Sequence, residues 1–272
     1  MMYNRGMDQN TLEKLLSDLP LGSLRYFSTI GSTNDLAARW AEAGAADFSL
    51  VVADEQTAGR GRMQRRWFTP AGSALAFTLV LRHDKDELVA HLAQVTALGA
   101  LAVCDTITAA LSPVTPAQVK WPNDVVASRR KLAGVLAEAH WRGDQLVALI
   151  LGIGINVAPA SVPPAETLDF PATCVETELE KGVDRWDLLH AVLENLLEWR
   201  KHLNAPGFIQ AWERRLAFRG EWVNLLAENQ APLEGQVLGL NADGSLRLRL
   251  RSGEVAGFQF GEIRLRPPSQ AI

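Results

Sequence analysis

Between Gln145 and Val157 the chain is almost continuously apolar, broken only by Gly152, Gly154 and Asn156. Such a run reads as a strand buried on both faces, and so central to a sheet. Lys131–His140 pairs with it around the turn Arg142-Gly143-Asp144. Ala74–Leu81 reads as a further strand, setting large Leu75, Phe77, Leu79 and Leu81 against small Ala74, Ala76 and Thr78, and Leu50–Ala53 as another. Ser32-Thr33-Asn34-Asp35 starts a helix, with Ser32 as cap and Asp35 at the reciprocal capping position. Leu36, Arg39, Trp40 and Ala43 keep helical spacing, and Gly44 ends it. Leu88–Leu111 predicts a long buried helix that stops before Pro113, and the next strand runs into Lys120-Trp121. A proline-rich loop from Pro159 to Pro171 precedes two amphipathic helices, Asp184–Leu203 and Gly207–Ala217. From Gly220 onward the texture changes to short strands: Trp222–Leu226, Gly235–Leu240, Ser245–Arg251, Glu254–Phe258 and Ile263–Arg266. The order predicts an α+β protein: an N-terminal segment at 1–20, a mixed β-sheet domain flanked by helices at 21–218, and a small β-barrel domain at 219–272.

The 272 residues are long enough for one sizeable core and a small second one. A net charge of -4 and the lack of a Lys/Arg block argue against a surface that holds a nucleic-acid backbone. With only Cys104 and Cys174 and no CxxC pair, neither a disulfide framework nor a zinc site is expected, and a reduced cytoplasmic setting fits. No stretch reaches the roughly 18 uninterrupted apolar residues of a membrane span, so no membrane insertion is expected.

Several polar segments interrupt this framework. The loop from Gln56 to Trp67 combines Gly59 and Gly61 with Arg60, Arg62, Arg65 and Arg66, a combination that suits a polyphosphate as well as it suits a solvated basic connection. Lys120-Trp121-Pro122-Asn123-Asp124 ends a strand in residues that turn chemistry alone would explain. Lys131 at a strand entrance reads, taken alone, as a solvated edge residue. Gly152-Ile153-Gly154-Ile155-Asn156 lacks the third glycine and the following helix of a dinucleotide site; its glycines let another backbone or a ligand lie against a central strand, with Asn156 offering an amide.

Taken together and in this order, Ser-Thr-Asn, Gln-x-x-Gly-Arg-Gly-Arg, Lys-Trp-Pro-Asn-Asp, Lys-Leu-Ala-Gly and Gly-Ile-Gly-Ile-Asn resemble the biotin protein ligase family. The likeness runs from Tyr26 to Val157 and continues faintly to Gly261-Glu262-Ile263-Arg264-Leu265-Arg266. It implies an SH3-like form for the C-terminal barrel and an ATP-dependent ligase that makes biotinyl-5'-adenylate, then passes biotin to a lysine of a biotin carboxyl carrier protein. ATP with Mg2+ and biotin are the implied co-substrates. Ser32, Thr33 and Gln56 would hold the biotin ureido ring, and Arg60 and Gly61 would close the loop over it. Arg62 and Lys131 would act catalytically between the biotin carboxylate and the ATP phosphates, where fixed cations offset the charge of two meeting anions. Arg65, Trp67, Asn123, Asn156 and Arg266 would bind ATP or the adenylate, and Asp124 would offer an oxygen to Mg2+.

Met63-Gln64 depart from the family's usual arginine and glycine, which implies a stiffer, less cationic loop. Only about 25 residues precede the matching block, too few for a winged helix-turn-helix, so no operator binding is expected. A lipoate or octanoate ligase or transferase of similar fold, and a non-catalytic biotin sensor, are the competing readings. An exposed strand edge would serve a homodimer or a docked acceptor alike.

Overall fold

The apolar run from Gln145 becomes the middle strand of seven. In the computed structural model, which describes residues 7–82, 92–110, 116–203, 205, 207–226 and 231–265, the strands are β1 (Leu24–Ile30), β2 (Ser49–Gln56), β3 (Ala74–Leu81), β4 (Gln118–Lys120), β5 (Asp124–Ala127), β6 (Arg130–Arg142) and β7 (Gln145–Asn156). Their order across the sheet is β1-β2-β3-β7-β6-β5-β4, with β1 and β2 parallel and every other pair antiparallel. The sheet is therefore mixed, and its centre is covered on both faces.

One face is covered by α2 (Thr33–Glu42), whose Ala37 and Ala41 are small enough to lie close to Val51, Val80, Ala148 and Ile150. The other receives α3 (Leu92–Ala110) and, behind it, α5 (Arg185–Arg200), with the short α4 (Val175–Leu179) between them in the chain. Leu75, Phe77 and Leu79 of β3 point into this second core with Leu98, Leu101, Leu189 and Leu193. Full burial of such side chains stabilises by about 1.5–3 kcal/mol each. The large-small alternation of β3 thus assigns its large residues to the thick core and its small ones to the α2 side. Among the described residues α3 alone is long and apolar enough to cross a membrane, yet Val95, Leu98, Leu101 and Ile107 are buried inside the protein. The ends of the expected 88–111 helix, 88–91 and 111, lie outside the described residues.

Ahead of β1, α1 (Gln9–Leu15) begins at an Asp8 cap and packs Leu12, with Leu16 beyond its end, into the same core. A further helix, α6 (Gly207–Arg214), leads to β8 (Trp222–Leu226), β9 (Leu233–Leu240), β10 (Leu246–Leu250), β11 (Val255–Phe258) and β12 (Glu262–Leu265). These form an antiparallel sheet ordered β11-β10-β9-β8-β12, and among the described residues its end strands are not paired with each other. The two sheets meet directly. Trp121, nearly fully buried, donates its indole N–H to the Gly244 carbonyl at 3.1 Å.

Candidate active site

Two rows of residues in register across three strands, small except at Leu136, floor the site. Thr78 of β3 lies opposite Gly152 of β7, which faces Leu136 of β6; the next row is Ala76, Gly154 and Gly134. Two residues separate the rows, about 7 Å along the strands. Above them lies a cavity of about 640 Å³. The glycines of β7 line this cavity and also make room for side chains beside it. A Cβ at 152 would run into the Asn34 carboxamide, and one at 154 into the Trp67 indole.

The start of α2 forms one end of the cavity. Ser32 Oγ accepts the Asp35 amide at 3.4 Å, but the Asp35 carboxylate closes no capping box and pairs instead with Arg60 at 2.8 Å. Thr33 donates its amide to Gln56 Oε1 at 2.8 Å, and Gln56 Nε2 reaches the Thr69 hydroxyl at 3.2 Å. Beneath them the buried Thr78 hydroxyl lies 2.8 Å from Thr33 Oγ1 and 2.7 Å from Asn34 Oδ1. Asn34 Nδ2 donates to Glu138 at 2.8 Å, and Arg60 forks onto both Glu138 oxygens at 2.8 Å. The Glu138 hydrogen bonds are the main reason the Arg60 guanidinium holds its proton more tightly than usual. Arg60 thereby ties the glycine–arginine loop to the sheet.

The other end is built from charge. The β4–β5 turn, with a cis Trp121–Pro122 peptide, brings Lys120 opposite Asp124. The Asp124 carboxylate is nearly fully buried between two ammonium groups: Lys120 Nζ at 2.8 Å from Oδ2 and Lys131 Nζ at 2.7 Å from Oδ1. Burial alone would raise its pKa, but Lys131 and Lys120 outweigh this and hold it below the ordinary value. Lys131 is not the solvated edge residue that its place at a strand entrance suggests. Its backbone pairs with the 171–173 segment, through Pro171 O at 2.7 Å and Thr173 N at 2.8 Å, and its Nζ lies 5.4 Å from the centre of the Trp67 ring.

The loop supplies the remaining cations. Arg62 reaches Asn123 Oδ1 and the Gly261 carbonyl, each at 3.4 Å, and burial lowers its pKa. Arg65 makes a bidentate pair with Glu262 at 2.7 and 2.8 Å, while Lys120 lies 3.8 Å from the same carboxylate. Gly61 donates to the Arg65 carbonyl at 2.7 Å, narrowing the loop. Met63 and Gln64 both have positive φ, 53° and 57°, a conformation that glycine adopts without steric penalty.

Every described residue proposed from sequence lines this one cavity: Ser32, Thr33, Gln56, Arg60, Gly61 and Arg62, then Arg65, Trp67, Asn123, Asp124, Lys131 and Asn156. Arg266 lies outside the described residues. Two amides are already engaged: Asn156 Nδ2 with Thr173 O at 3.0 Å and Asn123 Nδ2 with Val135 O at 2.8 Å. Asp124 has both oxygens paired with ammonium groups, Lys120 and Lys131, so any oxygen it offered to Mg2+ would be shared with those two cations. Sequence reasoning also missed Asn34, Thr78, Glu138, Lys120 and Glu262. Asn34, Lys120 and Glu262 stood inside the motifs of the resemblance, and for the last two their charge was the available signal.

Glu262 resembles Asp124: burial opposes its ionisation, but the Arg65 hydrogen bonds and Lys120 keep its pKa below the ordinary value. Both groups bind protons less readily folded than unfolded. The stability they contribute is therefore present above their unfolded pKa values, near pH 4–4.5, and lost as pH falls below them. The thermal midpoint is expected to fall between pH 5 and pH 3, and by less in a Glu262→Gln variant. A midpoint independent of pH across that range would contradict the ion network.

The sequence from residue 26 to 156 matches the biotin/lipoate A/B protein ligase family. A biotin–acetyl-CoA-carboxylase ligase of Paracoccus denitrificans is 36% identical over 229 residues, covering 82% of this chain and 92% of that one. Among solved structures, the biotin protein ligase of Aquifex aeolicus in complex with biotin and ATP superposes with a TM-score of 0.75 at 29% identity, over 90% of this chain and 98% of that one. The Leishmania major biotin protein ligase in complex with biotinyl-5-AMP gives a TM-score of 0.60 at 27% identity, over 88% and 99%. With such likeness along nearly the whole length of its relatives, the chain belongs to the biotin protein ligases of the biotin/lipoate A/B protein ligase family.

Proposed function

We propose that this protein activates biotin with ATP and transfers it to a lysine of a biotin carboxyl carrier protein. The observation that carries the reading is one cavity with two chemically different ends: a hydrogen-bonding end at Ser32, Thr33 and Gln56, and a cationic end at Arg62 and Lys131. A fused ureido ring on an apolar tail with a terminal carboxylate uses both ends. The lipoate dithiolane and the octanoate tail would leave the polar end buried without partners, at about 1–3 kcal/mol per group.

The biotin carboxylate attacks the α-phosphate to give biotinyl-5'-adenylate and pyrophosphate, and the acceptor lysine then displaces AMP. Lys131 spends one ammonium donor on Asp124, which fixes its position, and has further donors for the two anions. Arg62, held by Asn123 and the Gly261 carbonyl, is a second preorganised cation. Arg60, tied to Asp35 and Glu138, keeps the loop over the cavity and water away from the adenylate. Mg2+ would accompany ATP and would offset the charge of its phosphates. This reading takes 21–218 as the catalytic domain and 219–272 as an appended one. It places the enzyme in the cytoplasm, with no role for nucleic acid or membrane. Any edge-to-edge homodimer through β1 would form beyond Tyr26, since Gln9 already bonds the Leu24 carbonyl at 2.8 Å and the Tyr26 amide at 2.7 Å.

The test is ATP–pyrophosphate exchange by the purified protein with biotin, lipoate, octanoate or no acid. Exchange driven by biotin alone is expected. Exchange driven by lipoate or octanoate would refute the substrate assignment, and biotin binding without exchange would leave a sensor.

A further inference from the structure

We propose that Thr78, a fully buried hydroxyl on β3 outside the recognised motifs, is a positioning residue that fixes the direction of the hydrogen bond Thr33 offers to the substrate. The inference rests on biotin being the ligand. It follows from counting protons. Three short oxygen–oxygen contacts join Thr33 Oγ1 to Gln56 Oε1 at 3.0 Å, Thr78 Oγ1 to Thr33 Oγ1 at 2.8 Å, and Thr78 Oγ1 to Asn34 Oδ1 at 2.7 Å. The hydroxyls of Thr33 and Thr78 bring one proton each, so one of the three contacts carries none.

The amide orientations decide which. Asn34 Nδ2 faces the Glu138 carboxylate at 2.8 Å and the Leu136 carbonyl at 3.5 Å, so its oxygen must face Thr78. That oxygen is buried, and Thr78 is its donor; a buried acceptor left without one is costly. Thr78 then has no proton for Thr33, and their 2.8 Å contact must be bridged by the Thr33 proton. Gln56 Oε1 is satisfied without it, because the Thr33 amide donates to it at 2.8 Å. The arrangement that gives Gln56 Oε1, Asn34 Oδ1 and Thr78 Oγ1 each a donor is Thr33 to Thr78 to Asn34.

With its proton turned inward, Thr33 presents only lone pairs to the cavity. It accepts, and selects a ligand with an N–H at that point. Ser32, whose oxygen accepts the Asp35 amide, is the neighbour free to donate its own proton to a ligand carbonyl. A cyclic urea offers that pairing of donor and acceptor. Gly152 belongs to the same device, since only a residue without Cβ leaves space for the Asn34 carboxamide.

The experiment compares Thr78→Val, which keeps the volume and removes the hydroxyl, with Thr78→Ser, which keeps the hydroxyl. ATP–pyrophosphate exchange is measured against biotin and ATP separately. T78V is expected to raise the biotin KM by about tenfold or more, the order of one buried polar group left unpaired, with kcat at saturating biotin and the ATP KM within about threefold, while T78S restores the wild-type biotin KM. A merely structural role would instead lower kcat as active protein is lost and leave both KM values unchanged. If T78V does not fold, Thr78→Cys carries the same test, its thiol being a weak donor of similar size. A wild-type biotin KM in the hydroxyl-free variant, or failure of T78S to rescue, would overturn the proposal. Absence of biotin-driven exchange in the unaltered protein would overturn the substrate reading instead.

Discussion

Replacing Lys131 with alanine is expected to lower biotin-dependent ATP–pyrophosphate exchange by about 100- to 1000-fold, the loss that follows removal of one preorganised charge-stabilising donor. The reason lies in what the ammonium touches. Its Nζ is 2.7 Å from Asp124 Oδ1 and beside the Trp67 ring, so it is fixed before any substrate enters. Truncation also frees a negative oxygen of Asp124 toward the incoming anions. A Lys131→Ala/Asp124→Asn double variant should therefore recover part of the loss, a non-additivity typical of contacting residues. Folding should be nearly untouched, because Lys120 still pairs with Asp124 and the backbone pairing of 131 with 171–173 needs no side chain. The thermal midpoint is expected to fall by no more than about 4 °C, roughly 1 kcal/mol in a chain of this size. Exchange within about tenfold of wild type would remove Lys131 from the chemistry.

The second large effect is expected from adding single methyl groups to β7. At 152 a Cβ meets the Asn34 carboxamide, which Thr78 and Glu138 hold in place; at 154 it meets the Trp67 indole, wedged over Gly134 and beside Lys131. Neither neighbour is a free side-chain end that can swing away. Gly152→Ala and Gly154→Ala should each destabilise by about 1–3 kcal/mol, the usual penalty of overpacking. They should differ in function. G152A displaces the groups behind Thr33 and should raise mainly the biotin KM, whereas G154A displaces Trp67 and Lys131 and should lower kcat. Denaturant midpoints and exchange kinetics on both variants check this, and wild-type values in either would show that the trough does not need its glycines.

The sequence carried the fold where the signal was long and periodic. The apolar 145–157 run, the alternation of β3 and the Ser32 cap each placed an element close to where it lies. α1 was missed because it is short and its burial rests on Leu12 and Leu16, too few positions for a period. The site divides in the same way. Ser-Thr-Asn, the arginine loop, Lys120–Asp124 and Lys131 are local strings, and the fold brings them to one cavity. Thr78 was read only as a small residue in an apolar strand, because its partners Thr33, Asn34 and Gly152 come from register and helix placement. Glu138 and Glu262 are likewise defined by arginines at the far end of a long chain separation, Arg60 and Arg65. The glycines of β7 were legible as a requirement for space, but nothing local says that side chains from 34 and 67 fill it.

Arg65 and its partner Glu262 are 197 residues apart in the chain. At the roughly 5–20 residues per second of synthesis, Arg65 leaves the ribosome many seconds before the carboxylate it grips with two hydrogen bonds exists, whereas Arg60 and Lys120 find Glu138 and Asp124 sooner. In that interval the seven-stranded sheet has all its strands, yet Lys120 lacks Glu262 and the Trp121 indole lacks the Gly244 carbonyl. A nascent chain therefore holds the strands of its cavity early and the Arg65–Glu262 pair late, when β12 pairs with β8 and brings Glu262 to the cavity.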